Sequence, residues 1–178
     1  MIMHWTKIKT DLMRFLPLPE GCIKWLVSLA MLVVAAACAA SPEVVDHAFA
    51  FDTSKDGQNA VVLDYRYGGP KLAIKAPQWA VKQGRTFTFE SVQRPMPKGD
   101  YLYVKWRDNA TGRVYEDTVD LRHRLPEDIA DHTLYFMIRG AQLYVYLISP
   151  ASVERPSEMR RDGPRMYRER KIVRIYPG

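Results

Sequence analysis

From Ala60 to Tyr176, apolar and polar side chains alternate with a period of two, in short runs separated by glycine, proline, asparagine and aspartate. That period belongs to strands with one buried face, and many short strands spaced by turn signals belong to an all-β sandwich or barrel. Residues 60–66 set Val61, Leu63 and Tyr65 against Val62, Asp64 and Arg66. Gly68-Gly69-Pro70 reads as a turn, and 71–75 as a short strand that stops near Pro77. Residues 85–92 alternate Phe87 and Phe89 with threonines and Glu90. Residues 101–107 place Leu102, Val104 and Trp106 on the face opposite Tyr101, Tyr103 and Lys105. After the hairpin loop 108–112 comes a strand at 113–121. Strands at 133–139 and 142–148 flank Gly140-Ala141, a two-residue turn suited to type II′, and a last strand covers 170–176. The expected fold is an antiparallel β-sandwich, Ig-like or a partly closed barrel, with one helical turn at most, near residues 126–131. The 142–148 strand is apolar on both faces, so it is expected to be central, covered on both sides or facing a partner.

The first 58 residues read differently. Residues 25–37, WLVSLAMLVVAAA, are apolar or small, uncharged and preceded by Lys24. Spanning a bilayer takes about 20 such residues. A basic start, a short apolar centre and a small-residue end instead describe an export signal. The chain therefore divides into a signal peptide at 1–37, a polar tether at 38–58 and a β-sandwich binding domain at 59–178. Ala35-Ala36-Ala37-Cys38 resembles the bacterial lipobox, whose cysteine is lipidated and becomes the first residue; Ala35 stands where leucine is usual. Cleavage after Ala37, or at Ala37-Cys38-Ala39, by ordinary signal peptidase would release a soluble form instead. Cysteine arithmetic favours lipidation, because Cys22 leaves with the signal and Cys38 would otherwise be an orphan thiol in an oxidising compartment. The expected location is the periplasm, with the protein held by lipid to the envelope, at the outer membrane.

Charge is unevenly spread, and this bounds the partners. The formal net charge is +6, yet residues 38–154 carry fourteen basic and fifteen acidic side chains. Residues 155–174 carry eight basic and three acidic ones. The result is a neutral domain with a basic end, and export argues against a nucleic-acid partner. Catalytic signals are weak. No serine after the leader sits in Gly-x-Ser-x-Gly, no Gly-rich phosphate loop occurs, and the carboxylates Glu116, Asp117 and Asp120 lie on one strand. His47 falls in the tether, His123 lies between Arg122 and Arg124, and His132 follows Asp131 without a third ligand at suitable spacing. The sequence thus predicts a binding protein with no metal, no cofactor and no catalytic residues. Two charged segments are its candidate partner-binding surfaces. One is the connector with Arg122, His123, Arg124, Glu127, Asp128 and Asp131; the other is the long polar loop with Arg155, Arg160 and Arg161.

Three stretches together suggest a family. They are Leu102-Tyr103-Val104-Lys105-Trp106, then Thr111-Gly112-Arg113-Val114-Tyr115-Glu116 with Val119-Asp120-Leu121-Arg122 and Leu125-Pro126, and Gln142-Leu143-Tyr144-Val145-Tyr146-Leu147-Ile148. With Tyr167, Lys171 and Tyr176-Pro177 they resemble a group of Gram-negative envelope lipoproteins. Some of its members look like the immunity proteins of type VI secretion lipase (phospholipase) effectors. The resemblance spans roughly residues 95–178. It implies a periplasmic protein that binds a cognate lipase-type toxin stoichiometrically and blocks it. Two alternatives remain open on the residues alone: a structural or assembly lipoprotein of the envelope, and a β-barrel carrier of a lipid or small ligand. A deep apolar cavity would favour the carrier.

Overall fold

The computed structural model describes residues 44–154 and 162–178 of the 178-residue chain. Nine strands form within them. They are β1 (Val44–Asp52), β2 (Ala60–Gly68), β3 (Ala73–Lys75), β4 (Phe89–Pro97), β5 (Tyr101–Asp108), β6 (Val114–Asp120), β7 (Thr133–Arg139), β8 (Gln142–Ser152) and β9 (Arg170–Tyr176). One short helix, α1 (Gln78–Lys82), links β3 to β4, and a 3-10 turn at Arg165–Tyr167 precedes β9. A five-stranded sheet in the order β4-β1-β7-β8-β9 packs on a four-stranded sheet in the order β3-β2-β5-β6. The protein is an all-β sandwich. Its ladders are antiparallel except β1–β7, which is parallel with Phe49 beside Leu134.

Aromatic rings fill the space between the sheets. Phe49 stacks on Tyr67 with centroids 5.2 Å apart, and Phe51 meets Phe136 at 4.6 Å and Tyr65 at 5.2 Å. Leu102, Val104 and Trp106 face this core at 0%, 0% and 1% exposure, as their alternation with Tyr101, Tyr103 and Lys105 requires. The Trp106 indole N–H donates to the Gly140 carbonyl at 2.9 Å, tying β5 to the β7–β8 turn. That turn holds two residues, with Gly140 at φ 58, the left-handed conformation that glycine enters without steric cost.

The strand that is apolar on both faces, β8, is covered on both by its own chain. Leu143, Val145 and Leu147 enter the main core. Tyr146 and Ile148 join Ala50, Tyr135, Met137 and Ile172 in a second cluster, with Tyr144 and Tyr167 packed against it. Tyr167 belongs to the segment returning toward β9, and the Tyr146 hydroxyl donates to the Asp162 carbonyl at 2.7 Å. Part of that return segment therefore closes the outer face of the five-stranded sheet.

Three expectations need correction. The stretch read as a tether contains β1, which pairs with β4 on one side and β7 on the other; Phe49 and Phe51 are fully buried there. Where a strand was expected at 85–92, Phe87 only bridges Val62, and β4 runs on to Pro97. Pro95 and Pro97 are accommodated because β4 is the edge strand of its sheet among the described residues. The expected helical turn at 126–131 lies earlier, where the Leu125 N–H bonds the Leu121 carbonyl at 3.2 Å.

Candidate functional site

The charged connector between β6 and β7 is held down by buried Leu121, Leu125 and Ile129, which turns the intervening side chains to solvent. Arg122, His123, Arg124, Glu127, Asp128 and Asp131 are all exposed. They do not form one mutual cluster. Arg122 folds back on Asp120 of β6, its Nε donating to Oδ1 at 3.0 Å. These hydrogen bonds hold the Asp120 carboxyl well below the usual carboxylate range and raise the Arg122 guanidinium. Arg124 points the other way. Its Nη1 donates to the Ile175 carbonyl at 2.9 Å, and its guanidinium lies 5.4 Å from the Tyr176 ring centroid. Beside it the Tyr176 hydroxyl donates to Asp117 Oδ2 at 2.8 Å, so β9 is clamped to both the connector and β6.

Further along, the acidic residues serve the backbone. Asp128 Oδ1 accepts the Ala130 N–H at 2.8 Å. Asp131 sits at φ 58, and its N–H donates to the Asp46 carbonyl at 2.8 Å. Lys98 caps the Pro126 and Glu127 carbonyls at 3.1 and 3.2 Å. The connector thus presents Arg122, His123, Glu127 and Asp128 outward on a fixed backbone, whereas Arg124 and Asp131 also shape it. Arg155, Arg160, Arg161 and the lipid-attachment candidate Cys38 lie outside the described residues.

A second polar surface covers the outer face of the four-stranded sheet, where cross-strand register brings its residues together. Arg66 stands opposite Tyr103, and Lys105 opposite both Asp64 and Glu116. The Arg66 guanidinium lies 5.5 Å from the Tyr103 ring centroid and pairs with Asp64 at 3.4 Å. The Tyr103 hydroxyl donates to Glu116 at 3.1 Å; burial and that carboxylate push it up to about 12, so it stays a neutral phenol. Arginine on tyrosine is the side-chain chemistry that concentrates binding energy at protein interfaces. Alternation in the sequence separates Tyr101 and Tyr103 from Leu102, Val104 and Trp106, but only strand pairing brings Arg66 to Tyr103.

Among the described residues, no group of three His, Cys, Asp or Glu side chains comes together around a common point. His132 turns its Nδ1 toward the Ala130 carbonyl at 2.8 Å, and His47 is buried in the sandwich. The hollows bordering the sheets are open grooves. One of about 280 Å³ lies between β3 and β4, lined by Tyr67, Leu72, Ile74, Arg94 and Met96. Another of about 290 Å³ is lined by Arg66, Lys75, Gln78 and Tyr101. No protein-family model, curated protein or solved structure matches the chain.

Proposed function

We propose that this protein is an envelope immunity protein that binds and neutralises a type VI secretion lipase or phospholipase toxin, held to the membrane by lipid on Cys38. One observation carries the reading. The stretches that resemble the immunity group occupy β5, β6 with its connector, β8 and β9, and these form one contiguous half of the sandwich. Within it, Arg124 and Asp117 knit β9 to the connector and β6. A rigid half-sandwich displaying Arg122, His123, Glu127 and Asp128 has the form an inhibitor by binding needs: a preorganised surface that loses little entropy on docking. The interior between the sheets is packed with aromatic rings, which weighs against the carrier reading.

The test is co-production with a candidate lipase-type toxin, sought first among the products of neighbouring genes and directed to the periplasm. Cells should survive only when this protein is present, and the two proteins should co-purify. Death despite this protein, with no lipase-type effector that binds it, overturns the reading in favour of a structural envelope lipoprotein. Labelled fatty acid should enter the wild type and not Cys38→Ser.

A further inference from the structure

Between Tyr65 and Phe89 the chain carries Arg66, Lys71, Lys75, Lys82 and Arg85 and not one carboxylate. The segment runs out of β2, through β3 and α1, and into β4. All five cations are exposed. Lys75 stands opposite Arg66 in the β2–β3 ladder, and the two line the open hollow of about 290 Å³ together with Gln78 and Tyr101. Directly after Gln78 comes Trp79, on a helix whose buried residue is Ala80. Trp79 is 57% exposed with the Arg85 guanidinium 5.1 Å from its ring centroid, and Leu72, ahead of β3, is 61% exposed. Among the described residues, Arg66 alone of the five has a carboxylate at ion-pair distance, Asp64.

We propose that this basic crossover, with Trp79 and Leu72, rests against an anionic phospholipid surface. A solvated charged face gains nothing from an exposed indole. A membrane interface does, because it is apolar on one side and wet on the other. Three of the five cations are lysines, which are depleted at protein–protein interfaces but suit a lipid surface that reads charge without demanding geometry. Their long stems also let the ammonium groups reach headgroups while Trp79 and Leu72 enter the acyl boundary. In this arrangement the Arg66–Lys75 hollow receives headgroup phosphates. The inference is independent of the toxin reading and of the state of Cys38.

The experiment uses the full chain, so that the apolar run at 25–37 contributes equally to every variant. Binding is measured to vesicles of phosphatidylcholine alone and of phosphatidylcholine with phosphatidylglycerol, at low and high salt. Wild type should prefer the anionic vesicles, and brominated lipid should quench a component of tryptophan emission that Trp79→Phe lacks. The triple variant Lys71→Glu/Lys75→Glu/Lys82→Glu, with its fold checked by circular dichroism, should lose at least about tenfold of that preference, since each exposed cation adds to attraction by an anionic surface. An unchanged preference in the folded triple variant overturns the proposal. So does loss of toxin capture, without any vesicle effect, in the same variant, which would assign the crossover to an acidic protein partner. Should the triple variant not fold, Trp79→Ser with Arg85→Gln provides the same comparison.

Discussion

The hydroxyl of Tyr67, on β2, donates to Nε2 of His47, on β1, at 2.7 Å across the interface between the two sheets. The opposite ring nitrogen of His47 lies 2.9 Å from the Val45 carbonyl, which can only accept. Nδ1 therefore carries the proton, and Nε2 offers its lone pair to Tyr67. The Tyr67 oxygen in turn accepts the Gly99 N–H at 3.2 Å. Burial pushes the Tyr67 hydroxyl up to about 12 and lowers the His47 imidazole below its ordinary 6.5, so both partners stay neutral. This chain works only with a neutral imidazole, because a proton on Nε2 would leave the Tyr67 hydroxyl without its acceptor.

A depressed histidine pKa ties stability to pH with a definite sign. Between about 6.5 and the lowered folded value, the unfolded chain binds more protons than the native one. Stability is then full above the unfolded value and falls as the solution is acidified through this window. Urea midpoints should drop from pH 8 to pH 5. His47→Leu should be destabilised by about 1–3 kcal/mol at pH 8, the cost of an orphaned buried hydroxyl, and should show a smaller pH dependence. Adding Tyr67→Phe should not recover the loss, because it strands the buried Gly99 N–H that the hydroxyl oxygen accepts. An equal pH dependence in His47→Leu would mean that His47 does not titrate on unfolding.

Buried Gln58 organises the β1–β2 turn from inside. Its Nε2 donates to the Asp52 and Lys55 carbonyls at 2.7 and 3.3 Å, and its Oε1 accepts the Ile138 N–H at 2.7 Å. Gln58→Leu preserves volume but strands Ile138, whose side chain is fully buried. The expected cost is about 1–3 kcal/mol for that one group, with faster amide exchange at Ile138. Unchanged denaturation and unchanged exchange would show that the amide is dispensable.

How far these features could be read in advance follows from the range of the interactions behind them. β5 and β9 declare themselves by alternation and β7 by an apolar run that ends at Gly140, all local signals, and residues 133–139 and 170–176 match their strands. β1 stays hidden because Asp46 and His47 break its apolar pattern, and His47 becomes a core residue only when Tyr67, twenty residues on, supplies a hydrogen bond. The same holds at the connector. Its charges are plain in the sequence, but Arg124 acquires its partner from Ile175, 51 residues away. No local pattern separates it from Arg122.

Alternation sets Trp106 on one face of β5 with Leu102 and Val104, and its burial gives that placement an energetic consequence. Trp106→Ala should cost about 3–5 kcal/mol. Trp106→Phe should cost less, losing some volume and the bond to the Gly140 carbonyl. Denaturant titration monitored by circular dichroism measures both. An alanine variant near wild-type stability would mean the surrounding rings collapse into the space.

Arg122 and Arg124, two residues apart and both exposed, should respond unequally to truncation. Arg122 pairs with Asp120 where both side chains are more than half exposed, and such pairs add little to stability because water and salt screen them. Arg122→Ala should therefore leave the denaturation midpoint unchanged, so that it reports on partner binding alone. Arg124 instead caps a backbone carbonyl of the last strand and covers Tyr176. Arg124→Ala should cost about 0.5–1.5 kcal/mol, the ordinary worth of such a hydrogen bond, with hydrogen exchange quickening at Arg174–Tyr176 before the rest of the sheet. Lysine at 124 should restore part of the carbonyl contact but less of the stacking, because its ammonium lacks the planar fork. A charge reversal of both arginines together would then mix a loosened β9 with any lost contact to a partner. Arg122→Glu alone, with β9 exchange unchanged, isolates the partner's contribution. If Arg122→Ala loosens β9 as much as Arg124→Ala does, the division of labour between them is wrong.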